Sequence, residues 1–396
     1  MRIILANILL LLFFLVSFSD KATGQLPALS QNAQFSIITC TPGPDLYSIF
    51  GHTAIRFQDV INEKQVDWVY NYGTFEFADD FYWKFSRGKL DYLLSKNHFG
   101  EFQYEYIMTG RGVYEQVLQL SYEEKTELFR LLEENYLPEN RTYRYDFFLD
   151  NCATRVRDMV VKASSSPVQF NYVYAQAYTF REAIQNYLDY MPWSDFGIDL
   201  ALGLPCDRVM QPGQAMFLPD SLMNEFASAS KANGLLATPT DELLPAEFEL
   251  SSDEWLTPIN VFFALFLIQL GAAFWYARTG RLITPVDRFV LFLTGVIGCM
   301  VVFLWFFTDH TATKGNLNIL WANPLQLLLV FLNMNKRWVH FYWKMQTAIL
   351  VLAIGGWFFL PQRMHLASLA LACGVLLIAI RQVRPSLISK IATTNG

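Results

Sequence analysis

Between residues 257 and 380 the chain falls into five long apolar runs joined by short polar stretches, roughly 257–277, 288–307, 317–334, 345–361 and 364–380. An α-helix rises about 1.5 Å per residue, so each run is long enough to cross the hydrocarbon core of a bilayer. Lipid offers no partner to an open backbone, so these runs must be helices. Up to about residue 254 charged, aromatic and turn residues are mixed as in a globular domain. The reading is therefore two-part: residues 25–254 as a domain outside the cytoplasm, 255–384 as five transmembrane helices, and 385–396 as a cytoplasmic tail.

The basic residues orient the helices. With the amino-terminal domain outside, the inner joins and tail carry Arg278, Arg281, Arg288, Lys336, Arg337, Lys344, Arg381, Arg384 and Lys390, whereas the outer joins carry Lys314 and Arg363. The positive-inside rule favours that arrangement. The tight join at Pro361 also allows the last two runs to form a re-entrant hairpin. At the amino terminus, Arg2 precedes about fourteen mostly apolar residues and then the small residues Ser17 and Ser19, the layout of a cleaved signal peptide over 1–24.

Five cysteines are few for a disulfide scaffold, and Cys299 and Cys373 lie in membrane runs. Cys40, Cys152 and Cys206 are odd in number, so at least one thiol stays free or pairs outside the chain. A Cys40–Cys206 disulfide would leave Cys152, but the sequence does not establish it. The formal charge of −6 and the absence of a basic run argue against nucleic-acid binding.

Segments 35–40, 52–57 and 65–75 are rich in β-branched and aromatic residues and bounded by turn residues, which predicts three strands. A hairpin centred near residue 61 sets His52 opposite Tyr70 or Asn71, with Asp67 further along the same face. Ser121-Tyr-Glu-Glu124 is a capping box. Asp150 or Asn151 caps a second helix, in which Cys152, Val156, Met159, Val160 and Ala163 share one face. Cys152 then lies in the first turn, where the positive helix end stabilises a thiolate. A cysteine on an apolar face is ordinarily a small core residue, and a single histidine an ordinary hydrogen-bonded one; the polar cap before Cys152 is what sets it apart.

A histidine opening a strand, a polar residue on the next strand, and a cysteine at a helix start about a hundred residues later resembles the circularly permuted papain-like fold of lecithin:retinol acyltransferases and permuted NlpC/P60 relatives. More narrowly, PGPDLYSIFGHTAIRF (42–57), VYNYGTFEF (69–77), DNCATRVRD (150–158), LALGLPCDRV with MFLPDSL (200–222) and TDHTATKGNLNILWANPLQL (308–327) resemble the Lnb-type lipoprotein N-acyltransferases of Bacteroidota. The resemblance implies an α+β, circularly permuted papain-like periplasmic domain followed by an all-α membrane domain.

It further implies an inner-membrane enzyme without metal or diffusible cofactor. Cys152 would be the nucleophile, His52 its base and Asn71 the third residue, with Asp67 as the alternative. Ser48 and the Cys152 backbone N–H are candidates for the oxyanion, and Arg155 for a headgroup phosphate. His310, Asn318 and Asn323 are outer-leaflet candidates for the lipid site; structural hydrogen bonding is the competing role for each. The donor would be a membrane phospholipid or lipoprotein acyl ester, and the acceptor the α-amine of a diacylglyceryl apolipoprotein. An envelope cysteine peptidase or peptidoglycan amidase, or a non-enzymatic membrane scaffold, are the rival readings.

Overall fold

In the computed structural model the described residues are 26–75, 79–89, 91–172, 178–232, 234–247, 255–280, 284–331 and 337–383; the expected signal peptide and tail lie outside them. In chain order come β1 (Gln34–Cys40), β2 (His52–Ile61), β3 (Lys64–Thr74), α1 (Phe81–Ser86), β4 (Asp91–His98), α2 (Phe99–Thr109), β5 (Val113–Val117), α3 (Tyr122–Tyr136), β6 (Thr142–Arg144) and α4 (Cys152–Ala163). They are followed by α5 (Phe180–Leu188), α6 (Pro192–Ala201), α7 (Pro219–Ser228), β7 (Ser230–Lys231), β8 (Gly234–Leu235) and β9 (Asp241–Leu244). The helical region holds α8 (Pro258–Thr279), α9 (Thr284–Phe306), α10 (Leu325–Leu329), α11 (Arg337–Gly355) and α12 (Leu366–Val383).

The amino-terminal part is an antiparallel sheet of order β6-β4-β3-β2-β1-β5-β9, covered on both faces. Alternate side chains of a strand point to opposite faces, and β1 shows both. Phe35 and Ile37 join Phe57, Tyr70 and Tyr72 beneath Leu128 and Leu132 of α3 and Val156 and Val160 of α4. Ile38 and Cys40 join Ala54 and Val69 beneath Phe99, Phe102 and Tyr106 of α2. The fold is thus mixed α/β, with a helical region behind it.

The β2–β3 hairpin turns on Asn62 and Glu63, both with positive φ, and pairs Ile61 with Lys64 and Ile55 with Tyr70. Its centre lies one to two residues beyond the expected one. Continuing that register, His52 faces Gly73, and Asn71 lies on the diagonal of the same face.

Among the described residues three helices, α8, α9 and α12, are long and apolar enough to cross a membrane, against five expected runs. The third run is not one helix. A 3₁₀ turn at Leu317–Leu320 precedes the five residues of α10, and 332–336 lie outside the described residues. The interruption has local causes: Asn316 Oδ1 accepts from the Asn318 N–H, Asn323 Oδ1 accepts from the Leu325 N–H, and Pro324 has no N–H to give. The fourth run is shifted, since among the described residues α11 spans Arg337–Gly355, taking in Arg337, His340 and Lys344.

The two parts are joined through backbone. Gly203 N–H donates to Ala312 O at 2.8 Å, Asn316 Nδ2 donates to Leu200 O at 2.8 Å, and Gln362 Nε2 donates to Leu202 O at 3.1 Å. A Cβ on Gly203 would fall 2.0 Å from Lys314 O, so only glycine fits there. Buried Arg181 clasps Asp199 and Asp207, and Asp207 accepts the Arg363 N–H.

Candidate active site

Asn151 caps α4 reciprocally with Thr154: its side chain accepts the Thr154 N–H at 3.0 Å and the Thr154 hydroxyl accepts the Asn151 N–H at 2.8 Å. The Asn151 amide also donates to Phe147 O and Phe217 O. Cys152, the next residue, is therefore held rigidly in the first turn, where N–H groups lack intrahelical partners. It is only partly buried.

His52 and Asn71 stand on the α2 face of the sheet, like Ala54 and Val69, whereas α4 packs on the other. They meet Cys152 at the strand ends, where Gly73 has a φ of +90°. A Cβ there would lie 3.7 Å from Cys152 Cβ and 3.9 Å from His52 Cε1, so the glycine sits between the two side chains. That role was missed in the sequence, although Tyr-Gly-Thr within a strand pattern signals an irregular backbone.

Asn71 Oδ1 lies 2.6 Å from His52 Nε2, and the imidazole stands beside the Cys152 thiol, near enough for each to act on the other's proton. With Nε2 engaged by the amide, Nδ1 is the nitrogen left for the thiol. Burial disfavours a Cys152 thiolate, but the His52 charge, its hydrogen bond and the Thr53 and Ala153 N–H groups outweigh it, holding the thiol below its ordinary value. Burial likewise disfavours an imidazolium, yet the Cys152 charge and the bonds to Cys152 and Asn71 leave His52 raised. Both shifts move the pair toward thiolate and imidazolium. The other two thiols of this part differ: burial pushes both Cys40 and Cys206 up to about 12. All five cysteines are free, and Cys40 and Cys206 lie in separate core clusters.

Residues 24–186, which include His52, Asn71 and Cys152, match the family model described as the Lnb N-terminal periplasmic domain. Residues 250–390 match the one described as the Lnb transmembrane domain. The chain belongs to the Lnb family. It is a membrane protein with a periplasmic portion. No curated protein and no solved structure matches it.

The other candidates of this Lnb protein have partners elsewhere. Asp67 is held by the Arg56 guanidinium at 2.6 and 2.8 Å, away from His52. Ser48 is buried, and its hydroxyl donates to Asp45 O within its own turn. Arg155 forms a two-pronged pair with Asp150 at 2.6 and 2.8 Å and lies 3.6 Å over the Tyr143 ring. Asn318 is buried, donating to Asp199 O and accepting from Trp321 Nε1. Asn323 Oδ1 accepts the Leu325 N–H at the start of α10, and His310 Nε2 lies 3.0 Å from Phe85 O. None of these contacts reaches Cys152. Among the described residues no group of three His, Cys, Asp or Glu could hold a metal.

Proposed function

We propose that this Lnb protein is a thiol-dependent lipoprotein N-acyltransferase of the inner membrane. The observation that carries the reading is the Asn71–His52–Cys152 alignment at the amino end of α4, with its lowered thiol, in a chain of the Lnb family. The Cys152 thiolate attacks the ester carbonyl of a membrane lipid, and the first-turn N–H of Cys152 stabilises the oxyanion. The His52 imidazolium returns its proton to the departing alcohol, leaving an acyl thioester on Cys152. The α-amine of a diacylglyceryl cysteine, at the apolipoprotein amino terminus, then attacks the thioester; His52 takes the amine proton and the thiolate leaves, giving an amide.

We read the order of histidine strand, asparagine strand and cysteine helix as a circularly permuted papain-like arrangement. Residues 25–254 are placed in the periplasm, and 255–384 cross the membrane. Mass spectrometry of one lipoprotein amino terminus, from cells with and without the protein, tests the reading. An added acyl mass that requires the protein supports it; an unchanged amino terminus overturns it.

A further inference from the structure

Helix α1 turns one face inward and one outward: Phe81 is 8% exposed, whereas Trp83 is 60% and Phe85 53% exposed. It is not a free surface element. Phe85 O meets His310 Nε2 at 3.0 Å, and Arg87 O accepts the Asp309 N–H at 2.9 Å. Gly88 turns with positive φ where a Cβ would come within 2.9 Å of His310 N. α1 is thus fastened to the chain that leaves α9, whose last side chain, Phe306, and its neighbour Phe307 are also exposed. The same exit touches the loop before the nucleophile, where the Thr311 hydroxyl donates to Asp146 at 3.0 Å, and Leu149 of that loop is exposed.

Trp83, Phe85, Leu149, Phe306 and Phe307 therefore all stand on segments joined at residues 309–311. A soluble protein rarely leaves such side chains together in water, and aromatic residues collect where a membrane meets water. The inner face of α1 leads onward. Phe81 lies 5.2 Å from Phe75, Phe75 lies 5.3 Å from Tyr92, and Tyr92 stacks on Tyr145 at 4.2 Å, centroid to centroid. Tyr92, Tyr145 and Cys152 all pack against the core that lies beneath α3 and α4.

We propose that α1, Leu149 and the end of α9 form one surface seated in the outer leaflet of the bilayer that α9 crosses, and that the aromatic row behind α1 guides a glycerophospholipid acyl chain to Cys152. The occupant is the bilayer because the surface continues the lipid-facing side of a transmembrane helix. Only the guiding step rests on the acyl-transfer reading.

The test places photoreactive benzoylphenylalanine at position 83, 306 or 104 of the full chain, in nanodiscs of phosphatidylethanolamine and phosphatidylglycerol. Tyr104 is exposed on α2, which is outside the contacts at residues 309–311. Phospholipid adducts at 83 and 306 but not at 104 are expected. An unlabelled position 83, equal labelling at 104, or a protein adduct at 83 overturns the surface. The guiding step is read from the Trp83→Ser, Phe85→Ser double variant. Turnover of a bilayer-borne ester relative to a soluble short-chain thioester should fall about tenfold, two large apolar contacts with lipid being removed; an unchanged ratio overturns guidance. Cross-linking needs no turnover, so it decides the surface even if the protein transfers no acyl group.

Discussion

Asn71 Oδ1 and His52 Nε2 are 2.6 Å apart, and that single bond settles which way the imidazole faces the thiol. Removing it in Asn71→Ala frees the ring to turn and withdraws a hydrogen bond to a charged group, about 1.5–3 kcal/mol. Single-turnover acylation should slow about ten- to a hundredfold, with the protein still folded by circular dichroism. An unaltered rate would remove Asn71 from the site.

Cys152 should carry the acyl chain during turnover. Protein given a lipid ester but no amine should gain one acyl mass that neutral hydroxylamine releases. Cys152→Ser should lose nearly all turnover, because an alkoxide is far harder to form than a thiolate. Cys40→Ser and Cys206→Ser should retain catalysis, since burial keeps both thiols protonated. Full N-acylation by Cys152→Ala would end the covalent mechanism.

The opposed shifts of the pair set a pH window. Cys152 loses its proton below the ordinary thiol value, and His52 keeps its proton above the ordinary imidazole value. Thiolate reactivity should therefore persist as pH falls, disappearing only when Cys152 protonates. Iodoacetamide rates measured against pH should show a midpoint below that of a free cysteine, about 8.5. In His52→Ala the cation is gone while burial remains, so the midpoint should move above that value. A wild-type midpoint at or above it contradicts the pairing.

The asparagines of the membrane region should separate. Asn318→Leu leaves the Trp321 indole N–H without its acceptor and the Asp199 carbonyl without its donor, costing about 1–3 kcal/mol; folded yield and activity should fall together. Asn323→Leu loses one hydrogen bond to the Leu325 N–H of a short helix, and specific activity should fall more than folded yield if its amide meets lipid. Thermal unfolding in detergent, beside turnover per folded molecule, distinguishes the two.

Orientation can be measured directly. Alkaline phosphatase fused after Asn316 should be active and after Arg384 inactive, as the Lys/Arg asymmetry requires. The reverse pattern would place the thiol on the cytoplasmic side.

What could be read from the sequence was what local chemistry dictates. The capping box at Ser121 and Glu124 appears with both hydrogen bonds, and Cys152 opens its helix as its polar cap predicts. The polar turn at Asn62-Glu63-Lys64 is legible in the sequence, but a hairpin centre near residue 61 falls short of Asn62-Glu63, because strand register depends on which of several polar residues takes the turn. The third apolar run counts as a span by hydropathy, with Pro324 loosening it, but hydropathy does not register how far Asn316 and Asn323 favour caps and turns over helix interior. Asp207 offered no argument from sequence alone, since its partners Arg181 and Arg363 come from distant segments. For Arg155 the sequence leaves open a headgroup phosphate or a pair with Asp150 or Asp158, and the Asp150 carboxylate holds it.

The backbone joint at Gly203 and Ala312 has a kinetic consequence. A catalytic domain on a flexible tether samples a volume, and its encounters scale with concentration in that volume. A domain clamped to its own membrane helices keeps its thiol at one height and meets only reactants that diffuse to it in the same plane. Its rate should then follow the mole fraction of donor in the membrane and stay constant when vesicles of fixed composition are added beyond saturation of the protein. Diluting the donor with inert lipid should slow it even when the total amount of donor in the tube is unchanged.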